Sequence, residues 1–356
     1  MKVIADEKIP YMQGIIESLA DEVVYAAGGS FTPELVHDAD ALFVRTRTRC
    51  DRALLEGSRV KFIATATIGF DHIDTAWCRE AGIRWANAPG CNSGGVEQYV
   101  HSALLVLARE RGLCLPDACL GVVGVGHVGS RVARVGRHLG MRVLLCDPPR
   151  AEAEGPEGFC VLDELARQCD VITFHTPLTR EGAHATLHLA DEAFFGSLLR
   201  KPVIINTSRG EVVSNSALLR ALECGQASDA VIDVWEHEPD IDLRLLERVA
   251  IGTPHIAGYS ADGKANATRM ALQAFCRFFG LPETFRIEPP APACSVIRAA
   301  SETDALLQIY SPATDSRMLK AHPEQFEALR NNYFYRREAT AYRMELPHGT
   351  TSSCDA

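Results

Sequence analysis

The chain has 356 residues, 47% of them apolar and 23% charged, and a formal charge of -10. That length allows two or three domains with sizeable cores. The acidic balance removes any general electrostatic case for a nucleic acid or an anionic membrane as partner, and no apolar run nears the roughly 18 to 20 residues of a bilayer span.

From the N-terminus, short β-branched runs alternate with helical patterns. "KVIAD", "EVVYA", "ALFVRT", "KFIATAT" and "IRWANA" read as strands, with helices predicted between them, among them Pro33 to Asp38 and Asp74 to Ala81. "MKVIADEKIP" goes straight into this pattern without the long apolar stretch of a signal peptide, which points to the cytoplasm. Alternation at this spacing implies a parallel sheet covered on both faces. The third strand runs into "RTRTR"; if that stretch is extended, Arg45, Arg47 and Arg49 share one face and Thr46 and Thr48 the other. Such a local positive cluster on an acidic chain is either a solvated edge or a site for a small anion.

A long amphipathic helix, "GGVEQYVHSALLVLARERG", leads into a second alternating series: "CLGVVGVG", "RVLLCD", "DVITFHT", "PVIINTS", "DAVIDVW" and "VAIGTPH". These six segments predict a second doubly wound sheet. After His255 the pattern turns helical ("KANATRMALQAFCRFFG"), and this helix is expected to return to the first domain. "LPETFRIEPPAPACS" is a proline-rich boundary, and the last seventy or so residues carry a thinner apolar pattern. The twelve cysteines are irregularly spaced, with no C-x-x-C pair or Cys/His cluster at zinc spacing, so reduced thiols and no metal site are expected.

The first strand of the second series opens Gly124-x-Gly126-x-x-Gly129 at the start of a helix, and the next strand ends in Asp147, eighteen residues past the last glycine. That arrangement is a dinucleotide fingerprint. Gly124 permits the tight turn, Gly126 lets the backbone approach a pyrophosphate, and Gly129 allows close helix packing. Asp147 would accept hydrogen bonds from the adenosine ribose and repel a 2′-phosphate, favouring NAD over NADP. Three further residues fall at the C-terminal ends of strands, where open α/β sheets place their chemistry: Arg209 of "NTSRG", Glu238 of "DVWEHEP" and His255 of "GTPHIAG". A histidine beside a carboxylate can shuttle a proton, and an arginine can clamp a carboxylate.

With these residues in place, the stretches "GVVGVGHVG", "HTPLT", "INTSRGEVV", "DVWEHEP" and "TPHIAG" resemble the NAD-dependent D-isomer-specific 2-hydroxyacid dehydrogenase family, over about residues 1 to 285. The resemblance implies that Arg209 fixes the substrate carboxylate and oxygen, that His255 is the general acid/base, and that Glu238 holds the imidazole. "TATIGFDHID", "APGCNS", "LLCDPPR", "GTPHIAGYSADGKANAT" and "LRNNYFYRRE" are similar to a branch acting on a phosphorylated hydroxy acid, whose C-terminal domain mediates homodimerisation. By that resemblance Thr46, Thr67 and Tyr259 contact substrate, Arg45 and Arg47 bind its phosphate, and Arg49 is solvated. NAD falls to Gly124, Gly126, His127, Val128, Gly129, Asp147, Thr176, Asp233 and Gly258.

The expected fold is α/β, with two doubly wound parallel-sheet domains: a flavodoxin-like substrate-binding domain at 1–95 and 258–285, and a Rossmann NAD-binding domain at 96–257. A small C-terminal α+β dimerisation domain at 286–346 and a disordered tail at 347–356 complete it. Gln98 and Gly94–Gly95 depart from the family, which more often has a glutamate and bulkier residues there. Two competing readings are a sibling dehydrogenase for another D-2-hydroxy acid (3-phosphoglycerate, or hydroxypyruvate and glyoxylate) and a non-catalytic NAD(H)-sensing protein.

Overall fold

The computed structural model describes residues 1–347; the expected tail lies outside the described residues from 348 on. The chain forms two compact units, 1–92 with 260–291, and 93–259 with the residues from 292.

In the first unit, β1 (Lys2–Asp6), β2 (Glu22–Ala26), β3 (Ala41–Val44), β4 (Phe62–Thr65) and β5 (Arg84–Ala86) form one sheet in the order β2-β1-β3-β4-β5. Every pairing is parallel. This is the flavodoxin-like order. All four residues of β3 and of β4 are buried, which is why those segments read as unbroken apolar runs. The predicted helices form at Pro33–Val36 and Thr75–Glu80, capped by Thr32 and Asp74, whose side chains accept from Leu35 N and Trp77 N. The helix Ala261–Phe279 does return to this unit. Ser260 Oγ caps it by accepting from Gly263 N, and it ends at Gly280 with φ 68°. Its Phe275 is fully buried between Phe43 and Phe62. Burying such a ring contributes about 2–3 kcal/mol.

The stretch after β3 is not extended. The strand ends at Val44, and Thr48 N donates to Arg45 O, closing a turn. The expected alternation of arginine and threonine faces is therefore replaced by a turn that buries Thr48 and leaves Thr46, Arg47 and Arg49 exposed. Thr48 Oγ1 donates to Gly28 O at 2.8 Å, which ties the turn to the loop after β2.

In the second unit, β6 (Cys119–Val123), β7 (Arg142–Cys146), β8 (Val171–Phe174), β9 (Val203–Asn206), β10 (Asp229–Ile232) and β11 (Ile251–Gly252) form a six-stranded parallel sheet, in the order β11-β10-β9-β8-β6-β7. Beyond β7, Cys160 N donates to Leu145 O, a single rung where a further edge strand would lie. The chain reverses direction across the sheet between β6 and β8, and the C-terminal end of such a switch point is where an open α/β sheet accepts a ligand. The long helix Ser93–Arg111 buries Tyr99 completely, and its hydroxyl bonds Thr253 Oγ1 at 2.7 Å.

Residues 286–346, expected as one separate domain, are divided between the units. Ile287 is buried in the first unit's core. Tyr310, Leu319 and Phe326 are buried in the cores of the second. The segment is α+β: β12 (Val296–Arg298) pairs in parallel with β13 (Arg343–Glu345), with short helices between them. Among the described residues no helix is long and apolar enough to cross a membrane.

Candidate active site

The glycine turn after β6 carries the geometry its sequence implies. Gly124 has φ 82°, and a Cβ there would sit 2.8 Å from the His175 carbonyl oxygen. A Cβ on Gly129 would lie 1.9 Å from Gly124 O, so only glycine lets the helix His127–His138 approach the strand. At Gly126 a Cβ would meet nothing within 4 Å. That open face lies at the helix N-terminus, where backbone N–H groups favour an anion. Gly126 and His127 are exposed and Val128 half-buried.

Beside this turn lies a cavity of about 510 Å³ at the ends of β6, β7 and β8. Gly124, Asp147 and Thr176 line it, with apolar walls that include Pro148, Val161, Leu162 and Leu189. Asp147 Oδ2 accepts from Val125 N at 2.7 Å and Oδ1 from Arg150 N at 3.1 Å, so one carboxylate pins the glycine turn and caps the next helix. Two bonds leave further lone pairs on that carboxylate for ribose hydroxyls. The guanidinium of Arg150, the nearest candidate for a 2′-phosphate, is paired with Glu154 and donates to Val125 O. Thr176 Oγ1 is buried without a hydrogen-bond partner, which marks a polar atom still to be satisfied. A slot with apolar walls, a ribose-binding acid and an anion cradle fits a dinucleotide.

The catalytic candidates sit on three loops held together by backbone contacts. After β9, Asn206 is buried; its Nδ2 donates to Arg209 O, and its Oδ1 accepts from the Ser208 amide and hydroxyl. Arg209 is half-buried and donates to Ser208 O, and it shares no hydrogen bond with Glu238 or His255. After β10, Trp235 N donates to Glu238 Oε1 at 2.9 Å. Glu238 Oε2 accepts from His255 Nδ1 at 2.8 Å. Burial would push the Glu238 carboxyl up, but the bonds from His255 and Trp235 and the charge of Arg330 hold it below the usual carboxylate range. It is thus ionised at neutral pH and orients the imidazole.

Asp233 is 1% exposed. Its Oδ1 accepts from Thr253 Oγ1 at 2.6 Å and Ile256 N at 2.8 Å, and its Oδ2 from Ala257 N at 3.0 Å. Its own amide donates to Asn206 O, while His255 N donates to Asp233 O. Asp233 therefore braces the His255 loop against the Arg209 loop. Gly258 and Tyr259 follow on that loop, both half-buried.

The remaining substrate candidates belong to the first unit. Arg45 Nε pairs at 3.0 Å with Asp6 Oδ2, whose side chain is fully buried. Thr46 and Arg47 are exposed on the turn, and Arg49 pairs with Asp51. Thr67 Oγ1 lies 2.6 Å from Thr65 Oγ1, which in turn meets His72 Nε2 at 3.0 Å.

Sequence reasoning missed the arginines of "LRNNYFYRRE". Arg330 Nη1 reaches Glu238 Oε2 at 3.3 Å, and its Nε reaches the Tyr259 hydroxyl at 3.4 Å. Arg336, 6% exposed, donates to the carbonyls of Gly95, Ile256, Ala257 and Tyr259 and to Gln98 Oε1. The departures at Gln98 and Gly94–Gly95 are the seat of this segment: Gln98 Nε2 also donates to Arg337 O, and a Cβ on Gly94 would lie 2.2 Å from the Glu338 carboxylate. A run of aromatics and arginines was the available signal, but it reads equally well as a solvated face.

Residues 100–257 match the family model described as "D-isomer specific 2-hydroxyacid dehydrogenase, NAD binding domain". Over its length the chain is 62% identical to the erythronate-4-phosphate dehydrogenase of Bacteroides fragilis, covering 97% of this chain and 99% of that one. Among solved structures it resembles a D-lactate dehydrogenase from Aquifex aeolicus complexed with NAD and lactic acid. There the TM-score is 0.63 at 28% identity, over 79% of this chain and 96% of that one. It also resembles an NAD-bound 3-phosphoglycerate dehydrogenase of Entamoeba histolytica. In that case the TM-score is 0.64 at 26% identity, over 81% and 98%.

Proposed function

We propose that this chain, which belongs to the D-isomer specific 2-hydroxyacid dehydrogenase family, oxidises 4-phospho-D-erythronate at C2 to 3-hydroxy-2-oxo-4-phosphooxybutanoate with NAD. The observation that carries the chemistry is the His255–Glu238 pair at 2.8 Å, in the same unit as the dinucleotide cradle. The choice of substrate rests on the relative at 62% identity. By the family resemblance the step belongs to pyridoxal 5′-phosphate biosynthesis.

Arg209 clamps the C1 carboxylate and polarises the C2 oxygen through paired N–H donors. Glu238 holds the Nδ1 proton of His255, which leaves Nε2 with a free lone pair. His255 takes the C2 hydroxyl proton, and the Glu238 carboxylate stabilises the imidazolium that forms. Bound NAD supplies the acceptor for the hydride that leaves C2. Asp147, Thr176 and the amides from Gly124 to Gly129, with His127 and Val128, hold the cofactor. By the family resemblance Asp233 and Gly258 would contact it too.

Arg45 and Arg47 bind the substrate's phosphate, with Thr46 hydrogen-bonding beside them, and Thr67 and Tyr259 also contact substrate. The working form is a homodimer built through the C-terminal segment, where Phe334, 87% exposed, offers apolar surface for a second copy. The free thiols fit a reducing, cytoplasmic setting.

The deciding experiment follows NADH formation with 4-phosphoerythronate, 3-phosphoglycerate and unphosphorylated erythronate, with a 2-oxo acid present to reoxidise NADH that does not dissociate. Turnover confined to 4-phosphoerythronate supports both the enzyme and its phosphate site. Preference for 3-phosphoglycerate would instead favour the sibling reading. Silence on all three, with NAD still binding, would favour a sensor.

A further inference from the structure

We infer that Arg330 is a positioning residue for the His255–Glu238 pair, its guanidinium sharing Glu238 Oε2 with the imidazole and so tempering the pull of that carboxylate on His255. The inference rests on the proposed dehydrogenase reading and adds a residue from outside the family's catalytic trio.

Arg330 is not a loose surface side chain. It lies on the helix Phe326–Asn331, where Phe326 is 2% exposed and Leu329 packs against the same core. Its Nη1 lies 3.3 Å from the oxygen that His255 Nδ1 reaches at 2.8 Å, so two donors converge on one acceptor. The longer contact is the weaker bond, yet a full positive charge at that distance still draws on the carboxylate. Its Nε points at the Tyr259 hydroxyl, on the loop that carries His255.

The neighbouring groups in this unit do not supply that charge: Arg209 donates to Ser208 O and shares no hydrogen bond with Glu238 or His255. Asp233 is buried below the loop and spends its oxygens on Thr253, Ile256 and Ala257. Tyr259 meets Arg330 through its hydroxyl, and Tyr333 bonds Asp315 and Arg336. Arg336 is directed to backbone carbonyls and Gln98. Among the described residues, Arg330 forms the cationic contact to Glu238 besides His255 itself.

A carboxylate partner raises a histidine's affinity for a proton, and a cation on that carboxylate offsets part of the effect. With Arg330 present, a guanidinium already on Glu238 opposes the build-up of a second positive charge beside the same carboxylate oxygen. Without it, the carboxylates of Glu238 and, less directly, Asp233 act on the imidazole with no guanidinium on Glu238 to oppose them.

The test compares wild type with Arg330→Met, Arg330→Gln and Arg330→Lys in the full chain. It reads the pH profile of kcat/KM for oxidation and the His255 imidazole titration by NMR, assigned with His255→Gln. In the two neutral variants both midpoints are expected to rise by about 0.5 to 1 unit, and Arg330→Lys to restore most of the shift. The alkaline limb of the reverse reaction should rise with them. The glutamine variant stands in if the methionine variant does not fold. Unmoved midpoints with a lowered melting temperature would reduce Arg330 to a tether for the C-terminal segment. An effect confined to KM would make it a substrate contact; either result overturns the inference. If wild type oxidises no 2-hydroxy acid, the dehydrogenase reading fails, and the NMR titration still decides whether Arg330 acts on His255.

Discussion

A Cβ on Gly210 would lie 2.0 Å from the carbonyl oxygen of Trp235, so the loop that carries Arg209 rests directly on the loop that carries Glu238. The clash is with backbone, since the Trp235 carbonyl carbon at 2.1 Å and Glu236 N at 2.7 Å belong to the same peptide unit. No side-chain rotation relieves it. Gly210→Ala is therefore expected to cost about 1–3 kcal/mol of stability by overpacking. It should also lower kcat/KM at least tenfold by moving Arg209 relative to the His255–Glu238 pair. Thermal unfolding and steady-state kinetics on one preparation check both, and a variant indistinguishable from wild type in each would show that the loops separate freely.

Glu238→Gln tests the dyad itself. The amide can still accept from His255 Nδ1 but carries no charge to stabilise the imidazolium, so kcat should fall on the order of 10²-fold with NAD affinity nearly unchanged. The stability effect has a definite sign. Because the folded carboxyl is held below its unfolded value, Glu238 contributes stability that is present above the unfolded pKa and lost as pH falls through the folded one. The acid-side decline of wild-type stability, below about pH 4.5, should therefore be shallower in Glu238→Gln. Urea denaturation across pH 3 to 7 measures it, and parallel curves for the two proteins would contradict the argument.

Much of this site is visible in the sequence, for a physical reason. The central strands of the two large sheets, among them β3, β4, β6, β8 and β9, are buried along their whole length and have to be apolar runs, so they announce themselves one by one. The three glycines also do local work, as a positive φ at Gly124, open space at Gly126 and a close approach at Gly129. What was not legible is long-range or conformationally ambiguous. Alternating arginine and threonine suit a strand and a turn equally, and the long-range bond from Thr48 to Gly28, twenty residues back, favours the turn. The bond from Arg336 to Gln98 joins positions 238 residues apart, so neither side announces the other. Gln98 and Gly94–Gly95 looked like departures from a family pattern because the segment they receive lay far downstream.

On the proposed reading, Asp147 is the residue that would separate the two nicotinamide dinucleotides. Its carboxylate lines the cavity, and the neighbouring Arg150 is already paired with Glu154. Replacing Asp147 with alanine removes a charged acceptor worth about 1.5–3 kcal/mol, so the preference for NAD over NADP should fall roughly 10- to 100-fold. It also frees Val125 N and uncaps the helix Pro148–Glu154, so some weakening of both cofactors accompanies the change. The ratio of kcat/KM values for the two cofactors cancels that shared loss. An unchanged ratio would place the discrimination elsewhere.

The last prediction concerns Arg336, which links the C-terminal segment to the His255 loop. It is buried, lies over the ring of Tyr310 at 3.9 Å, and donates to Ile256 O, Ala257 O and Tyr259 O on one side and Gly95 O and Gln98 on the other. Each of those carbonyls would be a buried acceptor lacking this partner in Arg336→Met, so the substitution should cost about 3–5 kcal/mol. Arg336→Lys keeps the charge but has three donors in place of five and no planar face for Tyr310, so it should recover only part of that loss. Because the carbonyls belong to the loop that carries His255, kcat should fall in both variants even where the protein remains folded. Denaturant unfolding gives the first quantity, and single-turnover kinetics below the unfolding transition gives the second. A variant that loses stability but keeps the wild-type single-turnover rate would mean that Asp233, bonded to the same loop from the other side, holds His255 in place without Arg336.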